Sequence, residues 1–154
     1  MATIHIMEHG EQLTAGVREQ VPMTELTEFF SRAFADTMAA LQAQGVHPTG
    51  APFGKYYGPP GDVVDVEAGF PVAAAIAPAG NVVPGTLPAG QVAAATHTGP
   101  YDTMTDTYSE LERYFADASL TPGPVMWETY LSDPEVEPDP ANWRTEICWP
   151  VHQG

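Results

Sequence analysis

The chain of 154 residues sets 20 acidic side chains against 5 basic ones, for a net charge of −15, with 44% apolar content, one cysteine, 16 prolines and 14 glycines. That length suits a single domain able to bury roughly 70% of its unfolded surface, so neither disulfide nor metal is needed to hold it together. Five scattered cations, Arg18, Arg32, Lys55, Arg113 and Arg144, cannot neutralise a row of phosphates, which argues against direct nucleic-acid binding.

Met1 to Glu8 alternates Ile4 and Ile6 with His5 and Met7 and predicts a short strand, and Gln12 to Val21 predicts a second, ending at Pro22. A helix follows: Leu26, Phe29, Phe30, Ala33, Phe34 and Leu41 recur at helical spacing, and Gly45 is its natural stop. Phe53 to Tyr57 and Val63 to Val72 predict two further strands around the Gly58-Pro59-Pro60-Gly61 turn. The stretch from Ala77 to Gly90, dense in Pro and Gly, is expected to be a crossover linker.

Beyond it the pattern repeats. Gln91 to Thr98 predicts a strand, Gly99-Pro100 a turn, and Asp102 or Thr103 a cap for a helix whose stripe is Met104, Tyr108, Leu111, Phe115 and Ala118. Val125 to Leu131 and Trp143 to Val151 predict strands joined by the acidic loop Ser132 to Asn142. The order strand, helix, strand, strand occurs twice. Glu67-Ala68-Gly69-Phe70-Pro71-Val72 matches Glu146-Ile147-Cys148-Trp149-Pro150-Val151, and Pro48 to Tyr56-Tyr57 pairs with Pro122 to Tyr130 within a residue or two. The expected architecture is α+β: two βαββ modules side by side with pseudo-twofold symmetry, an antiparallel sheet, both helices on one face and a ligand cleft between modules. The expected boundaries are about 1–76 for the first module, 77–90 for the linker and 91–154 for the second.

The lone Cys148 has no internal partner, and the opening Met-Ala-Thr-Ile-His lacks the basic and apolar regions of a signal peptide. The longest apolar run, Val72 to Ala77 between two prolines, falls far short of the ~20 residues a membrane helix needs. A cytoplasmic protein without membrane association is expected. His5, His9, His47, His97 and His152 show no ligand spacing, so no metal is expected, and no glycine-rich phosphate loop or nucleophile elbow occurs. No cofactor is expected.

Chemistry is concentrated where aromatic residues flank carboxylates: Trp127-Glu128 with Tyr130, Trp143 with Glu146 and Trp149, Tyr101 after Gly-Pro, and Tyr56-Tyr57. A carboxylate among rings suits a flat cation, or can serve as a general acid or base. Trp127, Phe70 and Trp149, at alternating strand positions amid apolar residues, are read first as core. Glu128 interrupts an apolar strand, so it must face solvent or be paired. Glu67 and Glu146 are read as structural pairing residues.

These stretches resemble the GyrI-like small-molecule-binding domain, which also serves as the effector-binding domain of MerR-type and AraC-type multidrug regulators. The resemblance rests on Val63 to Val72, His97-Thr98-Gly99-Pro100-Tyr101-Asp102, Trp127-Glu128-Thr129-Tyr130 and Trp143-Arg144-Thr145-Glu146-Ile147, and it covers nearly the whole chain. It implies the two-module fold, with Glu128 as a buried carboxylate and Trp143, Tyr101 and Tyr56 lining the same pocket. The DNA-binding helix-turn-helix of the regulators is absent from this sequence, and stand-alone members resemble either drug-sequestering proteins or hydrolases that open electrophilic cyclopropane-containing compounds with a Glu and a Tyr. The expected ligand is planar, aromatic and cationic or drug-like, bound by Glu128, Trp143, Tyr101, Tyr56, Trp127 and Tyr130. In the hydrolase alternative Glu128 and Tyr101 are the acid–base pair. A protein partner, as for relatives that protect a topoisomerase, is left open.

Overall fold

The computed structural model describes residues 3–58, 61–100, 103–123, 125–132 and 137–153. In chain order the elements are β1 (Thr3–His9), β2 (Gln12–Pro22), a 3-10 turn at Met23–Glu25, α1 (Leu26–Gln44), β3 (Phe53–Tyr57), β4 (Val63–Pro71), β5 (Val83–Leu87), β6 (Gly90–Thr98), α2 (Met104–Asp117), β7 (Leu120–Pro122), β8 (Val125–Tyr130), a 3-10 turn at Pro140–Asn142, and β9 (Arg144–Gln153). The fold is mixed α+β with two helices and antiparallel strands. It resolves into two compact units: a central one, Gly10–Ala89, and a terminal one that joins the chain up to His9 with everything from Gly90 onward.

In the central unit the strand order is β3, β4, β2, β5. Period-two alternation turns Ala15 and Val17 of β2 and Val66 and Ala68 of β4 to one face, where Phe29, Ala33 and Leu41 of α1 complete a buried cluster. Burying Phe29 and Leu41 fully contributes about 1.5–3 kcal/mol each. The helix ends as its sequence demands: Gly45 takes φ +69°, its amide donates to Gln42 O, and Val46 N donates to Leu41 O across 2.9 Å. Gly16 and Gly69 stand opposite one another on β2 and β4. A Cβ on Gly69 would lie 1.9 Å from Ala15 O, so this approach of the two backbones requires glycine.

In the terminal unit the order is β1, β6, β9, β8, with β7 pairing the end of β9. Leu111 and Phe115 of α2 are buried, and the Phe115 ring meets Trp149 edge-on at 5.5 Å. Thr103 precedes α2 but does not cap it with its side chain; its hydroxyl donates to Pro100 O instead.

The duplication is visible in the registers. Glu67 of β4 pairs with Lys55 of β3, and Glu146 of β9 pairs with Thr129 of β8. Aligning the two glutamates makes Tyr56 the counterpart of Tyr130 and Gly54 the counterpart of Glu128. Two features depart from expectation. The stretch read as linker carries β5, which pairs with β2 despite Pro84, and β1, expected within the first module, pairs with β6. Each unit's sheet therefore takes one strand from the other half of the sequence.

Candidate functional site

Alternation along β8 sends Met126, Glu128 and Tyr130 to one face and Trp127 to the other. The first face is the one α2 covers, because the hydroxyl of Tyr108, one turn into α2, reaches both Met126 Sδ and Glu128. Glu128 is only 7% exposed. A carboxylate so far from water costs several kcal/mol unless its oxygens are engaged. Both are: Tyr130 donates to Oε1 at 2.8 Å and Tyr108 donates to Oε2. The Tyr108 ring packs edge-on against Trp149 at 6.3 Å, and the Trp149 indole is fixed by donating to Gly123 O at 2.9 Å.

Each carboxylate oxygen accepts one phenol hydroxyl, one from its own strand and one from α2. A buried acid so held, with aromatic rings around it, is chemically suited to a cation that brings its own π-compatible surface. The same Tyr–Glu hydrogen bonds also constitute a proton donor beside a proton acceptor.

The structure brings together Glu128 and Tyr130 from the residues anticipated and adds Tyr108. Trp127, 1% exposed, faces the other way and packs its ring 4.9 Å from His9. Trp143 lies just before β9, its indole donating to Glu137 O at 2.7 Å. Tyr56 belongs to the central unit, half-buried against the core under α1. Tyr101 lies outside the described residues. Sequence reasoning missed the role of Tyr108 because it sits on the apolar stripe of α2; the hydroxyl at that position was the available signal.

A polar cavity of about 320 Å³ lies between the end of β6 and the start of α2, walled by Thr96, His97, Thr107 and Glu110 among others. His97, 5% exposed, shares hydrogen bonds with Thr107 Oγ1 at 2.7 Å and Pro100 O at 3.0 Å, which ties the strand end to the helix. Glu67 is also buried and accepts from the Tyr57 hydroxyl at 2.6 Å, and Glu146 accepts from the Cys148 thiol at 3.6 Å. Among the described residues no group of three or more His, Cys, Asp or Glu could hold a metal, and no helix is long and apolar enough to cross a membrane.

Comparison with known proteins agrees with this fold. The GyrI-like small-molecule-binding domain matches residues 2–152. The structure is similar to the C-terminal domain of EcmrR, with a TM-score of 0.88 at 22% identity, covering 100% of this chain and 99% of that domain. In the EcmrR–DNA complex the chain spans 58% of the full EcmrR chain at 23% identity and covers 99% of its own length, again with a TM-score of 0.88. SAV2435, solved bound to tetraphenylphosphonium, is similar with a TM-score of 0.70 at 12% identity, over 97% of this chain and 94% of that one. A hydrolase from Listeria innocua encoded by lin2189 is similar with a TM-score of 0.64 at 12% identity, over 97% and 92%. No curated protein sequence matches the chain.

Proposed function

The chain belongs to the GyrI-like small-molecule-binding domain family, and we propose that it binds flat aromatic cations, with Glu128 as counterion and Tyr108, Tyr130 and Trp149 as the surrounding rings. One observation carries this reading: a carboxylate 7% exposed that is held by two phenols on a face shared with the Trp149 ring. A lipophilic cation on a related fold, tetraphenylphosphonium on SAV2435, supports the same ligand class. The net charge of −15 raises the local concentration of such cations, while selectivity rests on the one acid and its rings.

The test is titration of a fluorescent lipophilic cation against the wild type and Glu128→Gln. Saturable binding is expected, weakened roughly tenfold or more by the substitution, as for loss of a charged partner worth about 1.5–3 kcal/mol. Absence of saturable binding, or equal binding by both proteins, overturns the proposal.

A second reading is favoured by the Tyr108–Glu128 hydrogen bond itself, since an acid–base pair can open an electrophilic ring such as a cyclopropane, and by the similarity to the Listeria hydrolase. Glu128 would then activate water. Consumption of an alkylating natural product well beyond one equivalent, lost in Glu128→Gln, marks catalysis. Protection that stops at one equivalent marks sequestration.

A further inference from the structure

α2 carries two stripes, and only one of them is apolar. Met104, Leu111 and Phe115 are buried. Thr103, Asp106, Thr107 and Glu110 recur at i, i+3, i+4, i+7 spacing as well, which sets them on one side of the helix and of the turn leading into it. Part of that polar stripe is withdrawn from water, since Thr107 is buried and Glu110 half-buried. It faces the end of β6 at Thr96, His97 and Thr98 across the cavity of about 320 Å³. At roughly 30 Å³ per water this is room for about ten waters, or for one small organic molecule. Apart from the His97 imidazole, the wall carries no aromatic ring and neither lysine nor arginine among the described residues.

The hydrogen bonds of the wall fix what it offers a ligand. A carbonyl oxygen only accepts, so the 3.0 Å contact between His97 Nε2 and Pro100 O puts a proton on Nε2. Nδ1 of the neutral ring then accepts from the Thr107 hydroxyl at 2.7 Å. Thr103 donates its own hydroxyl to the same Pro100 carbonyl at 2.8 Å. Both threonine protons are thus engaged within the fold, and what remains on each hydroxyl is an acceptor. Asp106 and Glu110 add two carboxylates at i and i+4, with Cβ atoms about 5–6 Å apart on such a helix. Asp106 lies in the first turn, where it also complements the helix dipole. That effect fades beyond the first turn and does not account for Glu110. Every side chain on the helix side of the cavity therefore presents acceptors.

We propose that this cavity is a second binding site, for short aliphatic primary diamines whose two ammonium groups are held by Asp106 and Glu110. A wall of acceptors calls for a ligand rich in donors, and each primary ammonium brings three N–H groups and a charge. Carboxylates one helical turn apart match two such groups separated by three or four carbons. The remaining N–H groups are within the chemistry of the Thr103 and Thr107 oxygens. A quaternary ammonium of equal charge has no N–H to give, so the same wall offers it only Coulomb attraction. The lack of phenyl, phenol or indole rings separates this ligand class from the flat cations assigned to Glu128. Neighbouring residues of α2 divide the two sites, Thr107 turning to His97 and Tyr108 to Glu128. The diamine site does not depend on the function proposed for Glu128.

The experiment titrates 1,3-diaminopropane and 1,4-diaminobutane, and the bis(trimethylammonium) analogue of each, into the full chain by calorimetry. It is run at about 0.15 M salt, which screens diffuse attraction to the acidic surface. Saturable one-to-one binding of a primary diamine is expected, roughly tenfold or more tighter than its quaternary analogue. Amide shifts in an NMR titration should concentrate at Thr96–Thr98 and Thr103–Glu110. Asp106→Asn and Glu110→Gln, near-isosteric changes at exposed and half-buried positions, should each weaken binding roughly tenfold with the urea midpoint retained. No saturable binding at that salt, equal affinity for primary and quaternary diamines, or affinity unchanged in both variants overturns the proposal. So does displacement of the diamine by the fluorescent lipophilic cation, which would make the two sites one.

Discussion

Tyr130 donates its hydroxyl proton to Oε1 of Glu128, two residues earlier on the same strand, across 2.8 Å, while Tyr108 serves the other oxygen from α2. A residue two positions along a strand shares the face of its neighbour, so β8 alone supplies the acid and one donor, and the helix only has to supply the second. Removing either donor takes one hydrogen bond from a buried carboxylate, at a cost of about 1–3 kcal/mol. Tyr130→Phe and Tyr108→Phe are each expected to lower the urea midpoint with an unchanged slope. Because both act on one carboxylate, the double variant should be non-additive; additive losses would show that the two phenols act independently of Glu128.

Gly69 tests the close approach of β2 and β4. Its missing side chain accommodates the Ala15 carbonyl, backbone that cannot swing aside as a side-chain tip would. Gly69→Ala should destabilise by about 1–3 kcal/mol, the usual cost of overpacking, with larger losses where backbone must shift. Gly10, with nothing within 4 Å of its Cβ position, provides the comparison. Gly10→Ala is expected to leave the denaturation midpoint within about 0.5 kcal/mol of the wild type or slightly above it, and equal losses at both positions would contradict the assignment.

Alkaline stability should depend on Tyr57. Burial, then the hydrogen bond to Glu67 and that group's charge, raise the phenol above its ordinary value of 10.0. The folded chain keeps a proton there that the unfolded chain releases, so this contribution is complete below pH 10 and fades as pH rises beyond it. Lys55 acts in the opposite sense: its lowered pKa costs stability at neutral pH, and that cost is relieved as pH rises towards the unfolded lysine's 10.5. Urea midpoints from pH 8 to 11 should fall less steeply for Tyr57→Phe than for the wild type. Parallel curves would assign the alkaline loss elsewhere.

Cys148 should be inert while the protein is folded. It is 1% exposed, and burial, followed by the Glu146 charge and hydrogen bond, raises its thiol well above the ordinary value of 9.0. Thiolate is the reactive form. A disulfide reagent at pH 8 is expected to find no thiol in native protein and one per chain in urea; prompt reaction in the native state would place the sulfur nearer solvent.

Much of this was legible in the sequence, and for identifiable reasons. The stripe from Leu26 to Leu41 repeats at helical spacing and Gly45 stops it, so α1 could be read directly; β3, between turn residues, was read to the residue. The repeated Glu-x-x-aromatic-Pro-Val segments exposed the duplication, because a copied motif survives in local sequence whatever the chain does in space. What local pattern cannot carry is partnership. Pro84 and Gly85 read as loop residues, yet Val83–Leu87 forms a strand because β2 offers it an edge, and β7, three residues long, exists through its pairing with the end of β9. The choice of β6 over β2 as partner for β1 is a contact between residues some ninety positions apart.

The site divides along the same line. Sequence by itself marked Glu128 as a charge in an apolar strand that had to be either solvated or satisfied, but it grouped Trp127 with Glu128 in one site, whereas the strand turns the two to opposite faces. The tertiary structure decided between those outcomes by laying α2 across the strand, so that Tyr108, indistinguishable from a core residue by spacing, turned its hydroxyl onto the acid. It also set apart Glu67, where Tyr57, Arg18 and Lys55 gather, from its sequence counterpart Glu146. Periodicity along one segment fixes which face a side chain takes; what waits on that face depends on which distant segment folds against it.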